Sequence, residues 1–323
     1  MKTKVEKIEG NLENQILSGS LSKGDQIPSL NFIKTKNKVS RDTVVRAYKN
    51  LVHRGILTAK PGKGYFVSEE NWTIKKNVFL FLDELSEYKN SLVKSIEANL
   101  GGKANCHIFF HHYNEVVFKN QIQAAIGNYT NYVISPFPNS KTVSEMLHLI
   151  PKNQLILIDR HDQQEDSYKF VGQEYKEDIV RCLNDLGENI KKYQDFQFIF
   201  PRNSFHPIEL KEGFSDFCKG KAISFKIHSE FKNLKKGDAY LVIEDEDLAL
   251  IVEKAKEKHL TLGKDIGLIS YNETRLKALI ANGITTISAD FHEMGRHLAS
   301  MIYATENIQI IHSGARLIKR NSF

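Results

Sequence analysis

The chain has 323 residues, 41% hydrophobic and 26% charged, with a net charge of +6 and three cysteines. This balance excludes a disordered chain or a small disulfide-stapled one and leaves room for two hydrophobic cores. No apolar run approaches the ~20 residues that a membrane-spanning helix needs, and the N-terminus lacks the apolar centre of an export signal. The expectation is a cytoplasmic protein, without membrane contact, whose Cys106, Cys182 and Cys218 are free thiols rather than disulfides or zinc ligands. The charge is unevenly shared. Residues 1–76 hold 15 Lys and Arg against 7 Asp and Glu, a net +8, and the remainder is net −2. An excess confined to one end is the electrostatic footprint of a nucleic-acid-binding segment.

Val5, Ile8, Leu12, Ile16 and Leu17 recur at helical spacing, so residues 4–17 read as an amphipathic helix. Gly19 and Gly24 interrupt it. Ser29 caps a short helix carrying Leu30, Phe32 and Ile33, and after the turn at Asn37-Lys38-Val39, Ser40 caps a second. That second helix has Val44, Val45, Ala47, Tyr48 and Leu51 on one face and Arg41, Thr43, Arg46 and Lys49 on the other. Two capped helices across a tight turn make a helix-turn-helix, whose second helix enters the major groove by its N-terminal residues. Gly55-Ile56-Leu57-Thr58, Pro61-Gly62-Lys63-Gly64 and Tyr65-Phe66-Val67 then read as a β-hairpin with Lys63 and Gly64 at its tip. This hairpin is the wing of a winged helix.

The stretch 16–67 resembles the DNA-binding domain of GntR-type bacterial transcription regulators. The resemblance is carried by Gly24-Asp25-Gln26-Ile27-Pro28-Ser29, Val39-Ser40-Arg41-Asp42-Thr43-Val44, the run 51–57 and Gly62-Lys63-Gly64-Tyr65-Phe66-Val67. Where the family often has Glu-Arg after Pro-Ser, this chain has Leu30-Asn31. The DNA-contacting set is taken as Ser29, Ser40, Arg41, Thr43, Arg46, Lys49, Lys63 and Gly64.

Residues 1–70 are assigned to the winged helix and 71–77 to a linker that overlaps the polar stretch 68–76, broken only by Trp72 and Ile74. From residue 78 the pattern changes. Apolar runs at 78–82, 108–110, 132–134 and 155–158 read as buried strands, with helices at 86–100, 114–127 and 141–149 between them. Strands at 196–200, 222–227, 239–243 and 266–270, with helices at 174–191, 207–219, 246–258 and 273–281, repeat the scheme. Alternating β and α at this spacing gives parallel sheets covered on both faces. Their number suits two lobes.

Residues 78–318 resemble the sensor domain of the lactose-repressor family, related to periplasmic sugar-binding proteins. Leu155-Ile156-Leu157-Ile158-Asp159-Arg160, Gly213-Phe214, Asp238-Ala239-Tyr240, Gly267-Leu268-Ile269-Ser270-Tyr271-Asn272, Thr285-Thr286-Ile287-Ser288 and the helix 291–303 carry this resemblance, in that order. Together the halves resemble arabinose-repressor-like regulators. The fold class expected is therefore α/β: a winged helix-turn-helix followed by a two-lobed periplasmic-binding-protein-like sensor with parallel sheets. The resemblance implies one lobe of about 78–160 with 290–305, and another of about 161–288 with 306–323. It also implies dimer contacts from the sensor, hence a homodimer on a near-palindromic operator, and a repressor controlled by a small carbohydrate or sugar phosphate.

Ligands of open α/β sheets bind beyond the carboxyl ends of the strands. The residues there are Asp83, Glu84, His111, His112, Phe137, Arg160, Arg202, Asp245, Glu246 and Asn272, and Tyr88 opens the first helix. Carboxylate, amide and guanidinium groups for paired hydroxyls, with an aromatic ring for the C–H face, suit a sugar. Of these, Arg160 carries over from the family's Asp-Arg motif and Glu246 stands near its Asn-Asp position. Leu210, followed by Lys211, replaces the arginine of the family's Arg-x-x-Gly-Phe, and Asn272 stands where aspartate is common. The bland alternative for such strand-end groups is that they cap the next helix.

Catalysis finds little support. There is no Gly-x-x-x-x-Gly-Lys-Ser/Thr phosphate loop. His292-Glu293 with His297 fails as a zinc motif because five residues of helix turn through about 500°, placing the two rings on different faces. His111 and His112 end a strand and point to opposite sides. No cofactor and no metal are expected. The rival regulators are one with an all-helical acid-sensing domain, opposed by the strand-rich runs, and one that senses a non-sugar metabolite.

Overall fold

The computed structural model describes residues 3–68, 76–137, 140–160, 168–202, 205–304 and 310–323, so the expected linker lies outside the described residues up to Lys76. By contact the chain divides into two compact units. One holds 1–84, 97–170 and 299–309, and the other holds 85–96, 171–298 and 310–323.

The first unit begins with α1 (Lys4–Leu17), α2 (Leu30–Asn37) and α3 (Arg41–His53), then β1 (Leu57–Lys60) paired antiparallel with β2 (Gly64–Val67). Each helix start is fixed by its sequence. Thr3 and Glu6 close a capping box, the Ser29 hydroxyl accepts from the Phe32 amide, and that of Ser40 accepts from Thr43. Lys38, at φ 50°, makes the left-handed turn between α2 and α3. Ile8, Leu12, Val44, Ala47, Tyr48, Leu51 and Ile56 form a closed core. Tyr48 is fully buried, yet its hydroxyl donates to the Pro28 carbonyl at 2.7 Å, which offsets the cost of sealing it. Residues 24–27 run along the hairpin, with Ile27 donating to Tyr65 and Val67 to Asp25, so the wing is braced from one side.

The same unit continues with β3 (Lys76–Leu82). In the second unit α4 (Glu87–Leu100) begins, and the chain returns through β4 (Ala104–Phe110), α5 (Glu115–Ala125), β5 (Asn131–Ile134), α6 (Lys141–His148) and β6 (Leu155–Asp159). The strands β3, β4, β5 and β6 pair in parallel. Phe79, Phe81, Tyr132, Ile134, Leu155 and Leu157 pack with Phe118 and Ile122 from α5 and Val143 and Leu147 from α6. The chain then passes through β7 (Lys169–Gly172), α7 (Tyr175–Asn184), β8 (Phe196–Ile199), α8 (Glu209–Gly220), β9 (Phe225–His228), β10 (Ala239–Val242), α9 (Asp245–Glu257), β11 (Gly267–Tyr271), β12 (Thr285–Ala289), α10 (Phe291–Tyr303), β13 (Ile310–His312) and β14 (Ala315–Ile318). The sheets run β13-β7-β6-β5-β3-β4 and β14-β12-β11-β10-β8-β9. In the second, all pairs are parallel except β12 with β14.

The near-continuous apolar runs follow from burial on both faces. In β10, Ala239 and Leu241 face the cluster of Phe196, Phe198 and Phe214, whereas Tyr240 and Val242 face Leu248 and Ile251 of α9. Gly213 lies where α8 crosses α7: a Cβ there would stand 2.4 Å from Ile179 Cγ2 and 2.6 Å from the Lys176 carbonyl oxygen. The chain end closes the sheet, with Ser322 Oγ accepting from the Thr285 amide at 2.7 Å and donating to the Leu268 carbonyl at 2.6 Å.

Three expected elements differ. The helix at 174–191 ends at Asn184, because Gly187 (φ 61°) turns the chain into a 3-10 helix at Gly187–Lys192. The strand expected at 222–227 starts only at Phe225, since Ala222 sits at φ 54° just past the end of α8. Residues 273–281 form turns and a short 3-10 segment at Ile280–Asn282 instead of a helix. Left-handed backbone at Asn272, Ala281 and Asn282 frames this segment, and the Lys277 side chain is drawn inward to the carbonyls of Tyr271 and Asn272.

Candidate functional site

On the winged helix, α3 buries Val44, Ala47, Tyr48 and Leu51 completely and leaves Arg41, Arg46 and Lys49 exposed, with Thr43 half-buried. One helix thus carries a core face and a cationic face, with its positive N-terminal pole adding to the latter. Ser29 and Ser40 are both engaged as caps, and the Ser40 and Thr43 hydroxyls lie 2.7 Å apart. At the wing, Lys63 is exposed and its carbonyl accepts from Gln26 Nε2 at 2.7 Å. Gly64 is at φ 107°, a conformation that favours glycine, and a Cβ there would come within 3.2 Å of the Gln26 amide. This brace was not read from the sequence. Its only signal was Gln26 standing beside an apolar strand-like stretch.

At the carboxyl ends of β3 and β4, Asp83 is buried and accepts from Tyr113 Oη at 2.9 Å, while its carbonyl accepts from the His112 amide at 2.7 Å. His111 is fully buried. Its Nδ1 accepts from the Tyr113 amide at 3.1 Å, so its Nε2 carries the proton donated to the Ser135 carbonyl at 2.8 Å. The consecutive positive φ angles of His112 (47°) and Tyr113 (55°) make this fold-back, leaving His112 exposed. Phe137 packs against His111, Tyr113 and Phe118 and is only 8% exposed, so it belongs to the core under the site rather than to an open wall. Glu84 and Arg160 are half-buried at the same edge of the sheet.

In the second unit, Lys277 joins two of the expected residues. Its ammonium, on a side chain 4% exposed, donates to the carbonyls of Tyr271 (2.9 Å) and Asn272 (2.8 Å) and pairs with Asp245 Oδ1 at 2.8 Å. Asn272 is thereby held at φ 60° with its side-chain carbonyl sealed and unpartnered among the described residues. Glu246 and Arg202 are exposed. Tyr88 packs its ring on Phe291 with centroids 5.0 Å apart, which occupies one face of the ring expected to stack on a sugar. Beside these lies a polar group the sequence reading missed. Tyr271 Oη donates to Gln173 Oε1 at 3.3 Å, Gln173 Nε2 donates to Tyr175 Oη at 3.4 Å, and His206 stands 3.7 Å from Glu244. Gln173 and Tyr175 follow β7, a strand too short and too near charged residues to be read from periodicity.

No thiol is a poised nucleophile. Burial pushes Cys106, Cys182 and Cys218 up to about 12 each, so all three stay protonated. Among the described residues, no helix is long and apolar enough to cross a membrane.

Residues 4–67 match bacterial regulatory proteins of the gntR family, and residues 191–323 match the periplasmic binding protein-like domain. The chain is 21% identical to the arabinose metabolism transcriptional repressor of Halalkalibacterium halodurans, across 94% of this chain and 89% of that protein. Among solved structures, the trehalose repressor from Escherichia coli superposes with a TM-score of 0.64 at 15% identity, covering 76% of this chain and all of that one. A Lac repressor bound to ONPG in its repressed state covers 90% of this chain and 94% of its own, with a TM-score of 0.63 at 13% identity. The fold of both sensor lobes is thus that of lactose-repressor-type proteins.

Proposed function

We propose that this chain, which joins a gntR-family helix-turn-helix domain to a periplasmic-binding-protein-like domain, is a ligand-responsive transcription repressor acting as a homodimer on a near-palindromic operator. The observation that carries the reading is α3: a capped helix whose core face is wholly sealed and whose other face presents Arg41, Arg46 and Lys49 beside a braced, lysine-tipped wing. One such helix spans only a half-site, so specific binding calls for two. Leu276 (64% exposed) and Leu279 (72% exposed), three residues apart in the second unit, are the pair to substitute in testing for a pairing surface.

The effector is a small carbohydrate or sugar phosphate, and its candidate contacts are taken unit by unit: Asp83, Glu84, His112 and Arg160 in the first, and Arg202, Asp245, Glu246 and Asn272 in the second. Tyr88 and Phe137 complete the candidate set, each already packed on other rings, Tyr88 on Phe291 and Phe137 on His111. The arabinose repressor relative makes a pentose the first candidate. The reaction class is binding, not catalysis: this set can orient hydroxyls but holds no activated nucleophile. Such a regulator works in the cytoplasm.

The test is selection of duplex from a random pool by the full chain, then titration of pentoses, hexoses and their phosphates against the selected duplex. Effector and operator affinities must shift each other by the same factor, about 5–150-fold for typical couplings. Enrichment of no sequence would end the regulatory reading. An enriched operator indifferent to every carbohydrate would end the sugar reading alone.

A further inference from the structure

Within the first unit the winged helix is seated on the α/β lobe that follows it, and the seat is polar. Asn14, on α1, is only 6% exposed, and its Nδ2 donates to the carbonyl of Gly127 at 3.1 Å, 113 residues away at the corner between α5 and β5. One turn further along α1, the carbonyl of Ser18 accepts from Asn153 Nδ2 at 3.4 Å, just before β6. The other half of the Asn14 amide, Oδ1, is sealed and finds no partner among the described residues.

We propose that α1 is a docking helix: its Asn14–Ser18 face and the corners at 126–128 and 152–154 form an intramolecular interface that seats the DNA-binding head on its own lobe. The seated head is the form that binds DNA. Two ordinary hydrogen bonds gain about as much as one sealed, unpartnered carbonyl costs. The seat is therefore near balance, unlike a core. Water can take over both of its hydrogen bonds when it opens. While seated, the head keeps Arg41, Arg46, Lys49 and Lys63 exposed, so nothing on its cationic face is given up to the lobe. Seating then works as preorganisation: the lobe sets the position of each recognition helix, and less orientational freedom is lost on meeting two half-sites. The second half of this proposal rests on the regulatory reading above, and the first does not.

The experiment uses the full chain carrying Ser18→Cys with Asn153→Cys, under mild oxidation, against a control pair of Lys4→Cys with Asn153→Cys at the far end of α1. Disulfide formation at least tenfold faster in the first pair is expected. Adding Asn14→Asp, which removes the donor and sets a carboxylate against the Gly127 carbonyl, should return the rate to the control level, with circular dichroism verifying the fold. Equal rates in the two pairs, or no effect of Asn14→Asp, would overturn the seat. The cross-linked protein should bind a duplex selected with wild type within about threefold of the uncrosslinked chain. Loss of binding on oxidation, reversed by reductant, would overturn the claim that the seated head is the binding form. If wild type enriches no duplex, the regulatory reading fails, and the oxidation rates still decide the seat.

Discussion

Replacing Lys277 by methionine separates a buried structural cation from a surface ion pair. The ammonium is 4% exposed and gives hydrogen bonds at 2.8–2.9 Å to two main-chain carbonyls and to Asp245, whose side chain is 70% exposed. Bonds from a charged donor contribute ~1.5–3 kcal/mol each, and a carbonyl stranded by loss of its partner costs ~1–3 kcal/mol. Methionine keeps the stem and relieves the desolvation of the cation, which returns part of that loss. The net expectation for Lys277→Met is a loss of about 3 kcal/mol. Asp245 is different. Its carboxylate regains water when the pair is broken, so Asp245→Asn should cost less than about 1 kcal/mol. Urea unfolding followed by far-UV circular dichroism measures both, with unchanged slopes showing that native-state stability moved rather than the unfolded ensemble. In a thermal scan the methionine variant should melt about 6–12 °C lower, at ~2–4 °C per kcal/mol for a unit of this size. A methionine variant within about 0.5 kcal/mol of wild type, or equal costs for the two substitutions, would refute the argument that the carbonyls rather than the carboxylate are what Lys277 serves.

Gly213→Ala should cost about 1–3 kcal/mol by overpacking, because its Cβ would meet Ile179 and the Lys176 backbone, whereas Gly220→Ala meets nothing and should be neutral or slightly stabilising; chemical denaturation compares them. On a selected operator, Arg41→Ala should lose about 1–3 kcal/mol of specific binding, and Lys63→Ala should lower the slope of log affinity against log salt by about 1; fluorescence anisotropy across a salt series reads both. Burial raises the Asp178 carboxyl above its ordinary range despite the Arg181 guanidinium 2.5 Å away. The folded state then holds that proton more tightly than the unfolded one, so the stabilisation is full below the unfolded value, ~pH 4, and is lost as pH rises through the folded one. The stability of wild type relative to Asp178→Asn should therefore fall as pH rises through that window, measured by urea midpoints at a series of pH values.

How legible each part was depends on how local its cause is. The winged helix was read almost to the residue because its punctuation is local: Ser29 and Ser40 bond amides three residues on, and the wing turns on Gly62 and Gly64. Strands β3, β6, β10 and β11 were legible because burial on both faces writes itself as a continuous apolar run. The misreadings have a different source. Residues 273–281 carry helix-forming side chains at plausible spacing, but Lys277 is satisfied only by folding back on Tyr271 and Asn272, a tertiary demand that no local pattern records.

Strand ends were legible in the sequence, and the contacts made at them were not. Within each sheet the parallel strands end on one edge, so strand-end residues such as Asp83 of one sheet and Asp245 and Asn272 of the other could be named from the sequence. Which of them stay free to meet a ligand depends on neighbours far away in sequence. Tyr113 reaches Asp83 across 30 residues and Lys277 reaches Asp245 across 32, while the ring of Tyr88 meets one at 291. Glu246 stands one residue past Asp245 on α9, yet it is exposed at a position where Lys277 claims its neighbour. In this chain the strand-end carboxylates Asp83 and Asp245 each have a structural partner. The residues that do the holding, Tyr113 in one unit and Lys277 in the other, therefore set the contacts made at these strand ends.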